Sequence, residues 1–338
     1  MPLYDLDRTA LESYRPELDE PADFDAFWAD TLRETRAFDL GLRVSPVNTG
    51  LKLVDVFDVE FAGFGGHRIK AWLTRPAGQA GPLPAVVEYN GYGGGRGLPH
   101  EHLGWAAAGY VSQFMDTRGQ GSNWGSGGDT PDPVGSGPAV PGVMTRGILD
   151  PAEHYYRRLY TDAVRAIDAV RAIDGVDPAR VAVTGGSQGG GIALAAAGLA
   201  SGLVGVMPEV PFGCHFRRAV ELSDRAPYTE ITRYLSVHRE HAPAVFRTLA
   251  YLDGVSLGRR ATAPALFSVG LMDPICPPST VYAAYNNYGA LAGGVATEIE
   301  VYEFNAHEGG GGYQFARQLT WLSALAGAPA ATPTGPAR

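Results

Sequence analysis

The sequence predicts an α/β fold: a mostly parallel central sheet with helices on both faces and a helical insertion. Three observations carry that expectation. Short apolar runs such as "PAVVEYN" (84–90), "RVAVT" (180–184) and "PALFSVGL" (264–271) alternate with segments of helical periodicity. Strands buried on both faces read as such continuous runs. The stretch "VAVTGGSQGGGIALAAAGLA" (181–200) reads as strand, tight turn and helix in direct succession. Residues 213–258 read as helical throughout, with no strand among them. They interrupt the alternation, so an insertion is expected at the edge of the sheet, where a lid or cap would lie.

Each element has its own signal. Phe24, Phe27, Trp28 and Leu32 recur at helical spacing within 21–38. Residues 52–74 alternate like two antiparallel strands around a Gly-rich turn. After the strand at 84–90, a helix is expected at about 99–108 and a strand at 110–116. From 119 to 148 the chain is rich in Gly, Pro and Asp. A loop that long inside a compact domain is usually functional or an interface element. An amphipathic helix at 155–173 leads to the strand at 180–184 and the helix at 187–200. Strands follow at 203–212, 264–271 and 296–304, then a last helix at about 311–325. Residues 1–325 are thus expected to form a single domain, and the Pro/Ala-rich tail 326–338 to be disordered.

Composition narrows the partners. The chain has 338 residues, 45% of them hydrophobic, and a formal charge of −9. Nucleic acids and anionic membranes reward basic patches, so neither is expected as a partner. Cys214 and Cys276 are too few for a disulfide framework and read as buried free thiols, which fits a reducing cytoplasm. The acidic opening "MPLYDLDRTALESYRPELDE" lacks an apolar core, so no signal peptide is expected. Residues 189–207 carry no charge, but glycines and Ser201 interrupt them. A buried helix and strand explain that stretch better than a span of about 20 apolar residues.

Gly185-Gly186-Ser187-Gln188-Gly189 matches G-x-S-x-G. That motif sets a serine on a strained strand-to-helix turn where only small residues fit two positions away. Such a serine needs a base and an acid later in the chain. Of eight histidines, His307 alone lies beyond residue 241, in the Gly-rich stretch "YEFNAHEGGGG". Asp273 directly follows the run 265–271, at the carboxyl end where sites collect. One oxyanion donor is expected from the Gln188 N–H and another from the glycine-rich loop "EYNGYGGGRG" (88–97). His100-Glu101-His102 lacks a third ligand at a zinc spacing, and Asp129 and Asp132 lack the calcium-loop spacing. No metal and no cofactor are expected.

The stretches "DTRGQG" (116–121), "GGSQGGG" (185–191) and "HE" (307–308), in that order, resemble the acetyl xylan esterase / cephalosporin C deacetylase family of α/β hydrolases. "YNGYGGGRG" (89–97) and "DPICPPSTVYAAYN" (273–286) resemble it too, and the similarity covers nearly the whole chain except the tail. The resemblance implies an α/β-hydrolase fold and a serine esterase. Its substrates would be acetylated xylo-oligosaccharides, other sugar acetates and cephalosporin C. It implies Ser187 as nucleophile, His307 as base, Asp273 as the acid, and the N–H groups of Tyr92 and Gln188 as the oxyanion hole. Arg118 and Gln120 would order the structure near the site. A cytoplasmic homohexamer with active sites facing an internal cavity is also implied. The stretch 127–147 is less familiar. A broader short-chain carboxylesterase, or a serine peptidase or acyltransferase on the same fold, are the rival readings.

Overall fold

The computed structural model describes residues 3–79, 81–135, 137 and 139–327. The tail expected to be disordered lies outside them from residue 328 onward. The chain opens with α1 (Arg8–Glu12), capped by the Asp7 carboxylate on the Ala10 N–H, and α2 (Phe24–Arg36). Three strands follow: β1 (Arg43–Val47), β2 (Val54–Ala62) and β3 (Arg68–Pro76). Next come β4 (Leu83–Tyr89), α3 (Gly104–Ala107), β5 (Val111–Met115), α4 (Tyr155–Arg171), β6 (Val176–Gly186), α5 (Gln188–Leu199) and β7 (Leu203–Glu209). Four helices separate β7 from the next strand: α6 (Phe216–Leu222), α7 (Tyr228–Val237), α8 (Ala242–Ala250) and α9 (Gly254–Gly258). The series closes with β8 (Ala265–Gly270), α10 (Pro278–Asn287), β9 (Thr297–Tyr302) and α11 (Gly311–Ala326).

Among the described residues nine strands form one sheet, in the order β1-β2-β3-β5-β4-β6-β7-β8-β9. The pairings β1–β2, β2–β3 and β3–β5 are antiparallel, and all those from β5 to β9 are parallel. The sheet is therefore mostly parallel, with an antiparallel wing, as in an α/β hydrolase. Ala85, Val87 and Tyr89 of β4 join the core formed with α4 and α5. Val86, between them, faces Trp105, Trp321 and Leu322 on the other side. Helices thus cover both faces, and the buried strands carry apolar residues at successive positions because both of their sides are packed. Helix α5 is apolar all round, as a helix enclosed on every side must be.

Register aligns the strand ends that build the site. Tyr89 of β4 pairs with Gly185 of β6, and Gly186 pairs with Glu209 of β7. The chain leaves β6 at Ser187 with two strand ends flanking it.

Several expectations need correction. The helix expected at 99–108 is broken into a 3-10 turn, Pro99–Glu101, and the single-turn α3. His102 lies between them, stacked on Phe114 at 3.5 Å between ring centroids, with its Nε2 3.0 Å from the Arg96 carbonyl. Those contacts turn the chain where a continuous helix would have carried it past β5. The helical segment 213–258 connects β7 to β8, and β9 flanks β8. It therefore leaves the sheet between two interior strands and not at a lateral edge, with α9 packed on α5 and Glu230 of α7 at the cavity. Strand β1 and helices α1 and α10 were not anticipated. Strand β1 is mostly exposed and contains Pro46, so it has no apolar run to read.

Candidate active site

Ser187 adopts φ 57° and ψ −117°. A side-chain-bearing residue holds such dihedrals only where its surroundings over-determine them, at a strain of roughly 1–3 kcal/mol. Here the surroundings are specific. The Ser187 N–H donates to the Glu209 carbonyl at 2.9 Å, and its own carbonyl accepts from the N–H groups of Gly191 and Phe212. A Cβ on Gly189 would lie 2.1 Å from the Tyr89 carbonyl oxygen, and one on Gly185 would lie 2.5 Å from the Gly189 backbone. The turn closes only because both positions lack side chains.

Asp273 follows β8 and is fully buried. Its Oδ1 accepts from the N–H groups of Ile275 (2.8 Å) and Cys276 (3.0 Å). Its Oδ2 lies 2.8 Å from His307 Nδ1, and His307 Nε2 lies 2.9 Å from Ser187 Oγ. A hydroxyl, an imidazole and a carboxylate in hydrogen-bonded series can pass the hydroxyl proton to the ring while the carboxylate orients it. The amino-terminal segment braces the acid. Tyr4 donates its hydroxyl to the Asp273 carbonyl at 2.6 Å, and the Asp5 carboxylate accepts from Arg218 and from the Ser279 N–H. On the base side, Glu308 accepts from Asn305 and from the Ala306 N–H and so closes the His307 loop on itself.

Both cysteines are free and buried. Burial and the nearby Asp273 carboxylate push the Cys276 thiol well above its ordinary range, so it stays protonated beside the site. Among the described residues, Asp273, Cys276 and His307 are the one group of three ligand-type side chains with mutually close donor atoms, within 4.8 Å. The Asp273–His307 hydrogen bond accounts for that proximity.

Tyr92 and Gln188 come together through their neighbours. Among the described residues neither backbone N–H has an acceptor. The Gln188 side chain is buried and bonded at both ends: Oε1 accepts from Gln120 Nε2 and Tyr156 Oη, both at 2.9 Å, and Nε2 donates to the Asn90 carbonyl. Gln120 Oε1 accepts from the Gly93 N–H at 2.6 Å. Gln120 thus ties the loop bearing Tyr92 to the start of α5. Arg118 is fully buried and grips both carboxylate oxygens of Asp162, with Asp132 beyond. These contacts are structural bonds among the segments that frame the site.

Three contributions were not read from the sequence. Glu230 of α7 accepts the Tyr92 hydroxyl (2.5 Å) and the Met144 N–H (3.0 Å). Trp124 donates its indole N–H to the Tyr92 carbonyl at 2.7 Å. Glu88 and Glu209 stand at the ends of β4 and β7, and burial together with the Glu209 carboxylate raises Glu88 to about 7. Trp124 had a signal, a lone aromatic residue in a Gly/Ser-rich loop. Glu230 had none, because Tyr92 is 138 residues away in the chain.

Ser187, His307, Tyr92 and Trp124 line one cavity of about 770 Å³, together with Glu88, Glu209, Glu230 and Glu308. Among the described residues its wall includes no lysine or arginine. The acidic residues weighed as metal ligands are engaged elsewhere. Glu101 bonds the Leu98 N–H and Ser126, Asp129 bonds Arg96, and Asp132 bonds Arg118 and Arg158. No helix of the described residues is long and apolar enough to cross a membrane.

Comparison with known proteins agrees with this architecture. The family model for acetyl xylan esterase (AXE1) matches residues 1–325. The acetyl xylan esterase from Paenibacillus sp. R4 is 40% identical, with 95% of this chain and 100% of that one covered at a TM-score of 0.88. Acetyl xylan esterase 1 from Thermoanaerobacterium sp. JW/SL YS485 is 33% identical, with 94% and 99% covered at a TM-score of 0.85. The acetyl esterase Axe7A of Xylanibacter ruminicola is 28% identical over 288 residues, which span 81% of this chain but 62% of that protein. The chain belongs to the acetyl xylan esterase family of carboxylic ester hydrolases.

Proposed function

We propose that this chain is a serine esterase that removes acetyl groups from acetylated xylo-oligosaccharides, other sugar acetates and cephalosporin C. The observation that carries the reading is the unbroken series from Ser187 Oγ through His307 to Asp273, with separations of 2.9 and 2.8 Å. His307 Nε2 takes the Ser187 proton as Oγ attacks the acetyl carbonyl, and Asp273 holds the ring and steadies the imidazolium. The N–H groups of Tyr92 and Gln188 receive the oxyanion, each contributing roughly a hundred- to thousand-fold in rate. The alcohol leaves with the proton from His307. Water then attacks the acetyl-enzyme as His307 takes its proton, and His307 returns that proton to Ser187 Oγ as acetate leaves.

Replacement of Ser187 by Ala tests the assignment. Hydrolysis of p-nitrophenyl acetate is expected to vanish while the circular dichroism spectrum and melting transition are retained, and full activity in that variant overturns it. The acyl side is tested separately. Acetate esters should outpace octanoate esters by a wide margin, whereas a preference for octanoate would favour a broader carboxylesterase. The same reading carries a homohexamer in a reducing cytoplasm, supported by family membership and by two buried free thiols. Light scattering on the purified protein checks the assembly.

A further inference from the structure

We propose that Trp124 is the sugar platform on the alcohol side of the cavity, a specificity-determining residue on whose open face the pyranose ring of an acetylated sugar stacks. The inference rests on the sugar-acetate reading above. Trp124 is 53% exposed, yet it lines the same cavity as Ser187 and His307. A large apolar side chain left open to solvent inside a functional cavity is the informative kind of exposure.

The indole is also held in place. Its N–H donates to the Tyr92 carbonyl at 2.7 Å. The edge of its six-membered ring next to the N–H, Cζ2 and Cη2, lies against Gly91 and Gly94, where a Cβ would come within 3.2 and 2.5 Å of Cζ2. Two glycines therefore allow the ring to rest on the backbone of the Tyr92 loop, and the hydrogen bond stops it from turning. A half-exposed ring anchored along one edge can be stacked upon without further loss of rotamer freedom on binding. The C–H faces of a pyranose carry partial positive charge and pack on the electron-rich face of an indole, as edge-on aromatic hydrogens do. The hydroxyls of the same sugar need acceptors. Glu88, Glu209 and Glu308 supply carboxyl oxygens to the wall. A neutral polyhydroxylated ring fits both features.

Trp124 also touches the Tyr92 carbonyl, so the test must separate stacking from support of that loop. The probes are xylose tetraacetate and ethyl acetate, which share the acyl group and differ in the ring. For Trp124→Ala the ratio of kcat/KM between the two esters should fall by about tenfold or more, mainly through KM for the sugar ester. Trp124→Phe keeps a ring but loses the N–H, so it should lower kcat on both esters together and leave the ratio near that of the unaltered protein. Trp124→Leu fills the space without an aromatic face and should match the alanine variant in ratio, so it serves if the alanine variant fails to fold. An unchanged ratio in the alanine or leucine variant overturns the platform and leaves Trp124 as a brace for Tyr92. If the unaltered protein hydrolyses ethyl acetate but not xylose tetraacetate, the sugar-acetate reading falls, and the platform with it.

Discussion

Ser187, Asp273 and His307 lie in three separate loops, and each was visible in the sequence for a chemical reason. The serine is marked by glycines at the two positions where a Cβ would meet backbone at 2.1 and 2.5 Å. The acid and base are marked by chain order and by their place after apolar strands. Asp273→Asn should lower kcat for p-nitrophenyl acetate by about 10⁴-fold with little change in KM, because an amide facing Nδ1 stabilises the wrong imidazole tautomer. Gly189→Ala is a packing test, since its methyl group would meet the Tyr89 carbonyl. A loss of about 1–3 kcal/mol in denaturant unfolding is expected. Trp124 left only a weak mark, a lone aromatic residue in a Gly/Ser-rich loop, and Glu230 left none because the contact that defines it crosses 138 residues of chain.

The connections between elements explain why the long loop and the insertion frame the site. Glu230 on α7 bonds Tyr92 after β4 and Met144 in the loop between β5 and α4. The Tyr92 hydroxyl in turn accepts the Val143 N–H at 2.8 Å. Glu230 is thus a positioning residue for the Tyr92 loop. Glu230→Gln should lower kcat on acetate esters, and combination with Tyr92→Phe should give a coupling of about 1 kcal/mol or more in a double-mutant cycle. Simple additivity would show that the two act independently. Arg118 lies under the same frame, with Asp162 buried against it. Arg118→Met strands that carboxylate and should cost about 3–5 kcal/mol in stability. Arg118→Lys should recover little of it, because an ammonium cannot bridge both oxygens. At this scale the central strands and long helices were legible from period and apolar runs. Strand β1 was not, since its order comes from pairing with β2, as between Val44 and Val59, and not from burial of its own side chains.

Over the whole molecule, the strands that converge on Ser187 bring the carboxyl groups of Glu88 and Glu209 together at the cavity. Glu88 is raised from 4.5 to about 7, first by burial and then by Glu209. Between those values the folded chain holds a proton that the unfolded chain has released, so this group's contribution to stability falls as pH rises from about 4.5 to 7 and is level above. Glu88→Gln removes that slope. Relative to the unaltered protein, the variant should gain on the order of 2 kcal/mol between pH 5 and pH 8 in denaturant unfolding, a figure reduced because solvent reaches the carboxyl through the cavity. Equal pH dependence in both proteins would show that Glu88 titrates normally. The fold class, the elbow and the order of Ser187, Asp273 and His307 were already set by local chemistry: apolar runs, small residues in a crowded turn, and polar residues just past strand ends. Each of those signals is contained within a few neighbouring residues. The acid-lined cavity, the grip of Glu230 on Tyr92 and the place of the Trp124 indole beside Tyr92 arise only when remote segments meet, because burial and hydrogen-bond partners across a fold are properties of the packed chain.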